Sequence, residues 1–501
     1  MSSVLSATLL GVDGFAVEVE VRLSSQLPRI DIVGLPEKAV RESAARVRAA
    51  IASTGHRFPD RRTTVSLAPA GLRKAGSGLD LPIAVGILAA SSAIEPGPLA
   101  GVAFAGELAL DGRLRPIRGA LALSLAARSA GAREMVLPRE CAAQAALAPG
   151  IAIHPAEDLG SVLAHLLDVE RLPIASAPAF DALGEQTGPC LSDVRGQATA
   201  KRALTVAAAG GHGLLMSGPP GSGKTMLARR LPGLLPGLDF DEALEATRIH
   251  GAAGLLEPDS PVVTSRPFRA PHHTASAAGL LGGGTPPRPG EVSLAHCGVL
   301  FLDELPEFDR RVLEALREVT EERRIRLSRA AYSCVFPARF QLVGACNPCP
   351  CGWHRSGVRD CRCDEAALAR YRRRLSGPLL DRIDLQVTLQ PVAWADLAAG
   401  SAGPTSAELR QQIGQTRRAA TGRGVSCNAE IRDRDLEHEI SASPEARGLL
   451  GRAVERLGLS ARGARRALRV ARTCADLAGE PRVEAHSMAE ALSYRSDATD
   501  V

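Results

Sequence analysis

The segment GPPGSGKT at residues 218–225 has the residue types and the spacing of a phosphate-binding loop. Gly218 and Gly223 frame the loop, and Lys224 and Thr225 follow directly, after a strand-like run and before a helical one. Glycines allow backbone N–H groups to point into one concavity that cradles phosphate oxygens. We expect Lys224 to reach the β- and γ-phosphates of ATP and the Thr225 hydroxyl to bind Mg²⁺. The residues predicted to hold the nucleotide are Gly218, Pro219, Pro220, Gly221, Ser222, Gly223, Lys224 and Thr225.

Two carboxylates, Asp303 and Glu304, follow the apolar run VLFL at 299–302. Asp303 is expected to hold Mg²⁺ through its water shell, and Glu304 to orient or deprotonate the attacking water. An acidic pair at a strand end can also be an ordinary helix N-cap. Its position downstream of a complete phosphate loop favours catalysis instead, and the two motifs together predict a nucleoside triphosphate hydrolase.

Five cysteines lie in the segment CNPCPCGWHRSGVRDCRC at 346–363. Cys346 ends a strand-like run, FQLVGAC, and is expected to be a buried core thiol. The remaining four form two Cys-x-Cys pairs, Cys349, Cys351, Cys361 and Cys363. Four thiolates suit a tetrahedral structural zinc ion, with His354 as a spare ligand. Because Cys-x-Cys is a less diagnostic spacing than Cys-x2-Cys, four free thiols remain the alternative.

The composition is that of an ordinary globular protein of several domains. The chain has 501 residues, of which 45% are hydrophobic and 23% charged, so we expect two to four domains. The formal net charge of +5 is compatible with a polyanionic partner without requiring one. Aromatic residues make up 3% of the chain, which argues against a surface built from base-stacking platforms.

The sequence predicts a cytoplasmic protein without a membrane segment. The N-terminus, MSSVLSATLLGVDGF, lacks the basic and long apolar regions of a signal peptide. The longest apolar run, LPIAVGILAA at 81–90, is too short to span a bilayer. Clustered cysteines are also unlike the spaced disulfide framework of a secreted protein.

Changes in pattern along the chain predict three domains and two linkers. Residues 1–170 mix alternating strands with Ala-rich helical stretches, and a polar, Pro-containing linker follows at 171–192. Residues 193–391 alternate apolar strands with helices, as in a nucleotide-binding α/β domain. A second linker at 392–406 precedes residues 407–501, which have helical periodicity and no strand signal.

Longer motifs make the chain similar to a known family. The stretch RPFRAPHHTASAAGLLGGGTPPRPGEVSLAHCGVLFLDELPEF at 266–308 resembles the Mg-chelatase-like branch of the AAA+ ATPases, and within it the YifB/ComM family. RKAGSGLDLPIAVGILAA and FAGELALDGRLRPIRGALALSLAARSAG resemble the Lon-protease-like domain of that family. SARGARRALRVARTCADLAG resembles its helical lid.

The resemblance implies a multidomain α/β fold. Its parts are an N-terminal Lon-protease-like α+β domain (ribosomal S5 domain 2-like), a central AAA+ P-loop αβα domain containing the cysteine loop 346–363, and a C-terminal lid like the Mg-chelatase C-terminal domain. AAA+ proteins of this kind form rings, so a homo-oligomer, in particular a hexamer, is expected.

Four more residues receive roles from the family pattern. Asn347 matches the sensor-1 asparagine that positions the lytic water, and Gln197 lies where AAA+ proteins line the adenine pocket. Arg382 in SGPLLDRIDL matches the arginine finger that reaches a neighbouring subunit, and Arg462 in LSARGARR matches the sensor-2 arginine of the lid. The alternative for Arg382 is a surface salt-bridge residue in an arginine-rich chain. Arg462 has basic neighbours at 465, 466 and 469, so its assignment stays open as well.

The N-terminal domain departs from an active Lon-type peptidase, which needs a serine activated by a lysine. The motif match places Gly78, not Ser77, at the nucleophile position, although Lys74 lies nearby in sequence. The expected lysine falls at Leu121, which cannot act as a base. We therefore expect a non-proteolytic scaffold or interaction module.

The resemblance also implies DNA as the substrate of the motor, in helicase or branch-migration activity during recombination of incoming single strands in natural transformation. EERRIRLSRAAYSCVFPARF at 321–340 is expected to form a hairpin facing the pore. Its candidate DNA contacts are Arg323, Arg324, Arg326 and Arg329. Arginines there would contact phosphates of single-stranded or branched DNA without reading sequence, unless the hairpin is simply a solvated basic strand pair. His272 and His273, in the preceding insertion, are expected to be structural or interface residues rather than metal ligands.

Two other functions remain open from the sequence. One is a magnesium-chelatase-type motor subunit that remodels a protein partner. The N-terminal domain counts against this function, because dedicated chelatase motors are expected to begin with the AAA+ module. The other is an ATP-dependent peptidase, which would require Ser77 to be reactive.

Overall fold

The computed structural model of the protein describes residues 1–95, 97–180, 188–329, 332–375, 377–392, 394 and 403–496. Parts of both predicted linkers and the last five residues therefore lie outside the described residues. None of the helices in the described part of the chain is long and apolar enough to cross a membrane.

The N-terminal region is built on a seven-stranded mixed sheet. Its strands, in spatial order, are Arg29–Val33, Arg62–Ala68, Asp13–Ser24, Ser2–Leu10, Val102–Phe104, Glu134–Pro138 and Ala152–Ala156. A two-stranded ribbon, Glu107–Leu108 with Leu114–Arg115, is added to it. The helices are Lys38–Arg41, Ser43–Ser53, Asp80–Ala90, Ala120–Ser129, Arg139–Ala145 and Leu159–Leu166.

Periodicity explains which faces of these elements are buried. In FAVEVEV the side chains of Val17, Val19 and Val21 are fully buried, since alternate residues of a strand point to one face. The apolar run 81–90 forms the helix Asp80–Ala90, which is buried on nearly every side. A helix that is apolar all round belongs in a core, and this one lies under the sheet.

The central region has a five-stranded sheet in which every pairing is parallel. Its spatial order is Phe268–Arg269, Val299–Leu302, Gln341–Cys346, Leu214–Ser217 and Leu385–Thr388. The helices around it are Ala198–Gly210, Lys224–Ala228, Leu231–Leu234, Phe240–Ala253, Ala277–Leu281, Glu291–Leu294, Arg310–Glu322, Glu365–Arg372 and Gly377–Leu380. Two ribbons complete it, Gly282–Gly283 with Arg288–Pro289 and Arg324–Arg329 with Tyr332–Pro337.

Parallel pairing decides where the motifs meet. The phosphate loop, the acidic pair and Asn347 each follow the carboxyl end of a strand, after Ser217, Leu302 and Cys346 respectively. Carboxyl ends of parallel strands share one edge of a sheet, which is where ligands bind in open α/β folds. The three motifs are thus brought to the same edge.

Residues 403–496 are helical and contain no strand. The helices are Ser406–Gly422, Leu436–Glu439, Pro444–Leu457, Ala461–Leu477 and Ala485–Ser496. Their apolar faces share one cluster of buried side chains with the central helix Ala198–Gly210. The helical region therefore packs on the sheet domain as one body.

A buried carboxylate, Asp384, joins the two regions. It is ion-paired with Arg466 at 2.6 Å and lies 3.2 Å from His212 Nδ1, while His212 Nε2 lies 2.8 Å from Thr473 Oγ1. Arg495 adds a further positive charge nearby. Burial by itself raises the pKa of Asp384, but His212 and Arg466 hold it well below its usual range. The charged form is therefore strongly stabilised by the fold.

We expect Asp384→Asn to destabilise the protein by about 3–5 kcal/mol, because it leaves Arg466 and Arg495 without their buried counter-charge. Thermal unfolding followed by circular dichroism at neutral pH measures the effect. Since the folded-state pKa is lowered, this contribution is present above the ordinary pKa of an aspartate, about 4, and fades as the pH falls below it.

The matched control is Asp433→Asn, which removes an exposed carboxylate that also pairs with two arginines. An exposed pair contributes about 0–1 kcal/mol. Equal unfolding midpoints for the two variants would contradict the role given to Asp384.

Candidate nucleotide site and cysteine cluster

The phosphate loop has the backbone that its glycines were expected to allow. Gly221 and Gly223 have φ values of +78° and +92°, a region that other residues rarely adopt. A Cβ atom at Gly218 would lie 2.8 Å from the carbonyl oxygen of Leu389. These three positions therefore require glycine, two for conformation and one for space.

Lys224 is buried at the start of the helix Lys224–Ala228. Its ammonium group donates to the carbonyl oxygens of Gly218 at 2.6 Å and Pro219 at 3.0 Å. It also donates to Asn347 Oδ1 at 3.2 Å. Burial lowers the pKa of Lys224, so a negatively charged partner would relieve the cost of its desolvation. A phosphate group is such a partner.

Thr225 and Asp303 form the candidate magnesium site. The Thr225 hydroxyl donates to Asp303 Oδ2 at 2.7 Å, although Thr225 lies in the helix Lys224–Ala228 and Asp303 follows the strand Val299–Leu302. Mg²⁺ prefers oxygen ligands and keeps several waters. A hydroxyl beside a carboxylate at the mouth of a phosphate loop fits that preference, so these side chains could hold the ion.

Glu304 stands next to this pair in a left-handed conformation, with a φ of +52°. Its carboxylate is half-exposed and lies 3.0 Å from Nδ1 of His273. The ring of His273 packs against that of His272, with the centroids 4.2 Å apart. His273 is thus the partner of the candidate base, a role that sequence reasoning missed. The only sequence signal for this role was that His272 and His273 are adjacent.

Gln197 contacts the loop as its assignment requires. Its side-chain amide donates to the carbonyl oxygens of Ser222 at 3.1 Å and Gln390 at 2.6 Å. Its backbone is left-handed, with a φ of +55°, at the N-terminus of the helix Ala198–Gly210. The residue therefore lies beside the phosphate loop; its role toward adenine stays a prediction.

Arg382 and Arg462 lie together, away from the phosphate loop. Both guanidinium groups pair with Glu321, at 2.8 Å and 3.2 Å. Arg382 precedes the strand Leu385–Thr388, so it lies at the amino edge of the parallel sheet, whereas the phosphate loop lies at the carboxyl edge. The strand between them spans about 13 Å. Neither arginine can therefore serve the phosphate site of its own chain in this arrangement.

The four cysteines of the two Cys-x-Cys pairs come together, with all four sulfur atoms within 4.8 Å of one another. Cys349 Sγ lies 3.3 Å from Cys351 Sγ and 3.8 Å from Cys361 Sγ. Four sulfurs bound to one zinc at about 2.3 Å would be separated by about 3.8 Å. Cys363 completes the cluster, whereas the ring of His354 does not belong to it; only its backbone N–H donates, to Cys349.

Cys346 is separate from that cluster, as expected. It is fully buried at the end of its strand, and burial raises its pKa to about 11. A thiol held neutral in this way is a core side chain rather than a metal ligand.

The cysteine loop touches the phosphate loop. Gly352 has a φ of +83°, and a Cβ atom there would lie 2.7 Å from Cδ of Pro220. Both features exclude other residues at this position. The cysteine cluster is therefore linked to the phosphate loop by direct packing, a contact that neither residue spacing nor periodicity indicated.

The four arginines of the hairpin are placed differently from one another. Arg324 and Arg326 lie on its exposed face and are each within 3.5 Å of Glu322. Arg323 caps the preceding helix and pairs with Glu430 of the helical region. Arg329 ends the strand, and its side chain lies outside the described part of the chain. Two of the four candidate DNA contacts therefore share an exposed face.

The N-terminal residues singled out by the peptidase comparison do not form a dyad in the structure. Lys74 is buried and donates to the carbonyl oxygens of Leu67 and Pro69. The Ser77 hydroxyl donates to the carboxylate of Glu107 instead. Leu121 is fully buried in the core. Lys74 is thus engaged by backbone carbonyls and does not contact Ser77.

Comparison with known proteins covers nearly the whole chain. A family model described as "Magnesium chelatase, subunit ChlI" matches residues 190–397, and the corresponding C-terminal model matches residues 403–495. A third model, "Subunit ChlI of Mg-chelatase", matches residues 19–141. Since that N-terminal model is itself described as a chelatase subunit, the N-terminal domain alone does not argue against a chelatase role.

Individual relatives agree with the family models. The chain is 43% identical over 503 residues to "Competence protein ComM" of Haemophilus influenzae, covering 99% of this chain and 97% of that protein. It is 41% identical over 498 residues to YifB of Escherichia coli K12, covering 99% and 97%. The magnesium-chelatase 67 kDa subunit of Heliobacterium mobile is 31% identical over 186 residues, which cover 32% of this chain and 28% of that protein.

We expect Gly352→Ala to weaken ATP binding by about 10-fold or more, because the added methyl group would displace Pro220 and with it the phosphate loop. Titration with a fluorescent ATP analogue measures the effect. Gly357→Ala is the matched control: Gly357 also has a positive φ, of +68°, but no atom lies within 4 Å of a Cβ placed there. Equal ATP affinities for the two variants would show that the contact with Pro220 is unimportant.

Proposed function

The chain belongs to the YifB/ComM family of magnesium-chelatase-like AAA+ proteins, and on that premise we propose that it is a ring-forming ATPase motor that acts on DNA. The observation that carries the ATPase part is the meeting of Lys224, Thr225, Asp303 and Asn347 at one edge of the parallel sheet. The DNA part rests on two weaker supports, the name of the ComM relative and an exposed arginine pair.

Each side chain of the site has a part in hydrolysis. Backbone N–H groups of the phosphate loop bind the triphosphate, and Lys224 turns from its carbonyl partners to the β- and γ-phosphates. Mg²⁺, when held by Thr225 and Asp303, neutralises charge on the phosphates. Glu304 orients the attacking water and accepts its proton, and His273 fixes the direction of the carboxylate. Asn347 positions the same water.

The two arginines that cannot reach their own phosphate loop would act on that of a neighbouring subunit. Both guanidinium groups now pair with Glu321, so each would reach a neighbour's nucleotide only after leaving that partner. An arginine supplied by another subunit stabilises charge on the transferring phosphoryl group. This arrangement makes activity depend on assembly, for which we propose a homohexameric ring.

DNA is the proposed substrate, held by phosphate contacts without sequence reading. Arg324 and Arg326 project from the exposed face of the hairpin, and among the described residues their ion-pair partner is Glu322, at the edge of ion-pair distance. Such weak pairs give way readily to phosphate groups. The activity would be that of a cytoplasmic helicase or branch-migration motor in recombination, in keeping with the word competence in the name of the ComM relative.

The N-terminal domain, of the proposed Lon-protease-like fold, would serve as a non-proteolytic scaffold. Lys74 is held by backbone carbonyls and Leu121 is buried, so neither can activate Ser77. A chelatase-type motor that remodels a protein partner remains the second candidate, favoured by the partial similarity to the Heliobacterium mobile subunit.

Structural zinc is the proposed occupant of the cysteine cluster. The four sulfur atoms lie within 4.8 Å of one another, close enough to be held by one ion. The thiolate is the form that binds zinc. The ion would hold the loop between Asn347 and Arg382 at a fixed shape.

ATP hydrolysis should be lost in both Lys224→Ala and Glu304→Gln, for different reasons. The first removes the phosphate contact and weakens ATP binding. The second keeps binding but removes the base, which lowers turnover about 100-fold or more. Phosphate release with a parallel nucleotide titration separates the two. Glu307→Gln, a nearby half-exposed carboxylate paired with Arg374, is the control and should retain activity.

The same assay tests the substrate when single-stranded and forked DNA are added at low salt. Turnover stimulated by DNA in the wild type and absent from both variants supports a DNA motor. Full ATPase activity that no DNA stimulates would contradict the DNA part and favour the remodelling of a protein partner.

Metal analysis of the purified protein should find about one zinc per chain. We expect the double variant Cys361→Ser/Cys363→Ser to lose it, whereas Cys190→Ser, outside the cluster, retains it. Less than about half an equivalent of zinc in the wild-type protein would favour free thiols instead.

A further inference from the structure

The outer face of the cysteine loop is an open, polar surface that the ATPase site does not use and that meets the cysteine cluster at Cys361. It is formed by residues 353–362, from just after the first Cys-x-Cys pair into the second. A shallow pocket of about 350 Å³ is formed there by Trp353, Arg355, Ser356, Gly357, Val358, Arg359, Asp360 and Cys361. A structural zinc loop needs no such surface to fulfil its role.

Trp353 is one of two tryptophans in a chain with few aromatic residues. It is half-buried on this face, and the guanidinium of Arg359 lies 4.8 Å from the centroid of its ring. The guanidinium thus lies over a face of the indole, and a nucleobase of any identity would stack on this π-surface by displacing Arg359 toward a phosphate. The chain has too few aromatic residues for a surface of several stacking platforms, but a single platform is consistent with its composition.

The surface is also positively charged. Residues 353–362 contain three arginines and one aspartate, a difference of +2. No carboxylate among the described residues forms an ion pair with Arg359 or Arg362, both of which are exposed. Exposed guanidinium groups of this kind bind phosphate oxygens and release counterions from a nucleic-acid backbone.

We propose that this surface is a second nucleic-acid contact of the protein, at which one base of a single strand stacks on Trp353 while neighbouring phosphates bind Arg359 and Arg362. This proposal rests on the proposed function and adds two details to it: where the DNA binds, and that the bound DNA is single-stranded. Bases of a duplex are already stacked and cannot reach the indole, so the site selects single strands.

Binding at this surface can affect the phosphate loop, because the two are close together. Trp353 follows Gly352, which packs on Pro220 of the phosphate loop. A base stacked on Trp353 therefore presses on the same loop that touches the nucleotide site. Contact with a single strand can in this way be passed to ATP binding through one backbone segment.

Tryptophan fluorescence tests the site directly. In a Trp394→Phe background, Trp353 is the sole tryptophan of the chain. We expect oligothymidine to quench its emission in proportion to binding, and Trp353→Ala to weaken binding about 10-fold in fluorescence anisotropy. Arg359→Gln/Arg362→Gln should weaken binding and lower its salt dependence, while Arg452→Gln/Arg456→Gln, an equal charge change on the exposed face of the helix Pro444–Leu457, should do neither.

The outcomes separate this site from the proposed function. DNA binding with unchanged Trp353 emission and unchanged affinity in Trp353→Ala would overturn the site and leave the DNA motor intact. Absence of binding to any DNA at low salt would contradict both. Quenching by an acidic peptide in place of oligothymidine would overturn the site as well, since it would identify a protein partner. Unchanged zinc content in each variant shows that the loop is intact.

Discussion

The parallel pairing of the central sheet is the constraint on which the rest of the protein depends. It gathers the phosphate loop, Asp303 and Asn347 at one edge, since each follows the carboxyl end of a strand. It also sends Arg382 to the opposite edge, because that residue precedes a strand. One topological rule thus places the residues proposed to bind ATP at one edge of the sheet and Arg382, the proposed arginine finger, at the other. If Arg382 acts on a neighbouring subunit, as proposed, activity depends on assembly.

The segment between Asn347 and Arg382 must cross from one edge of the sheet to the other, and the cysteine cluster lies within it. A slack connection would let the two ends move independently. Four sulfurs at tetrahedral spacing, Gly352 against Pro220, and the buried Asp384 at the far end each remove part of that freedom. The cluster is therefore better understood as a structural brace beside the phosphate loop than as a separate finger, and its outer face is left available for a ligand.

Sequence alone predicted the parts of the site whose chemistry is local. The phosphate loop, the acidic pair and the four clustered cysteines are each encoded in a short run of residues, and the structure places them accordingly. It could not predict His273 beside Glu304, the shared use of Glu321 by two arginines, or the packing of Gly352 on Pro220. Each of these joins residues far apart in the chain, and neither periodicity nor spacing reports such contacts. The roles of Arg382, Arg462 and the hairpin arginines stay predictions for the same reason.

The N-terminal domain contacts the central region at the hairpin and at the helix Phe240–Ala253, where Asp13 pairs with Arg248. Val12 is buried in the same apolar cluster as Ile325 and Phe336, and the Tyr332 hydroxyl donates to the carboxylate of Glu37. The buried face of the hairpin is thus covered by this domain, while Arg324 and Arg326 remain on the other face. The domain contributes to the packing of the hairpin, because without it part of the apolar face would be exposed. If DNA moves along the arginine face, as proposed, the N-terminal domain lies on the opposite face of the same hairpin.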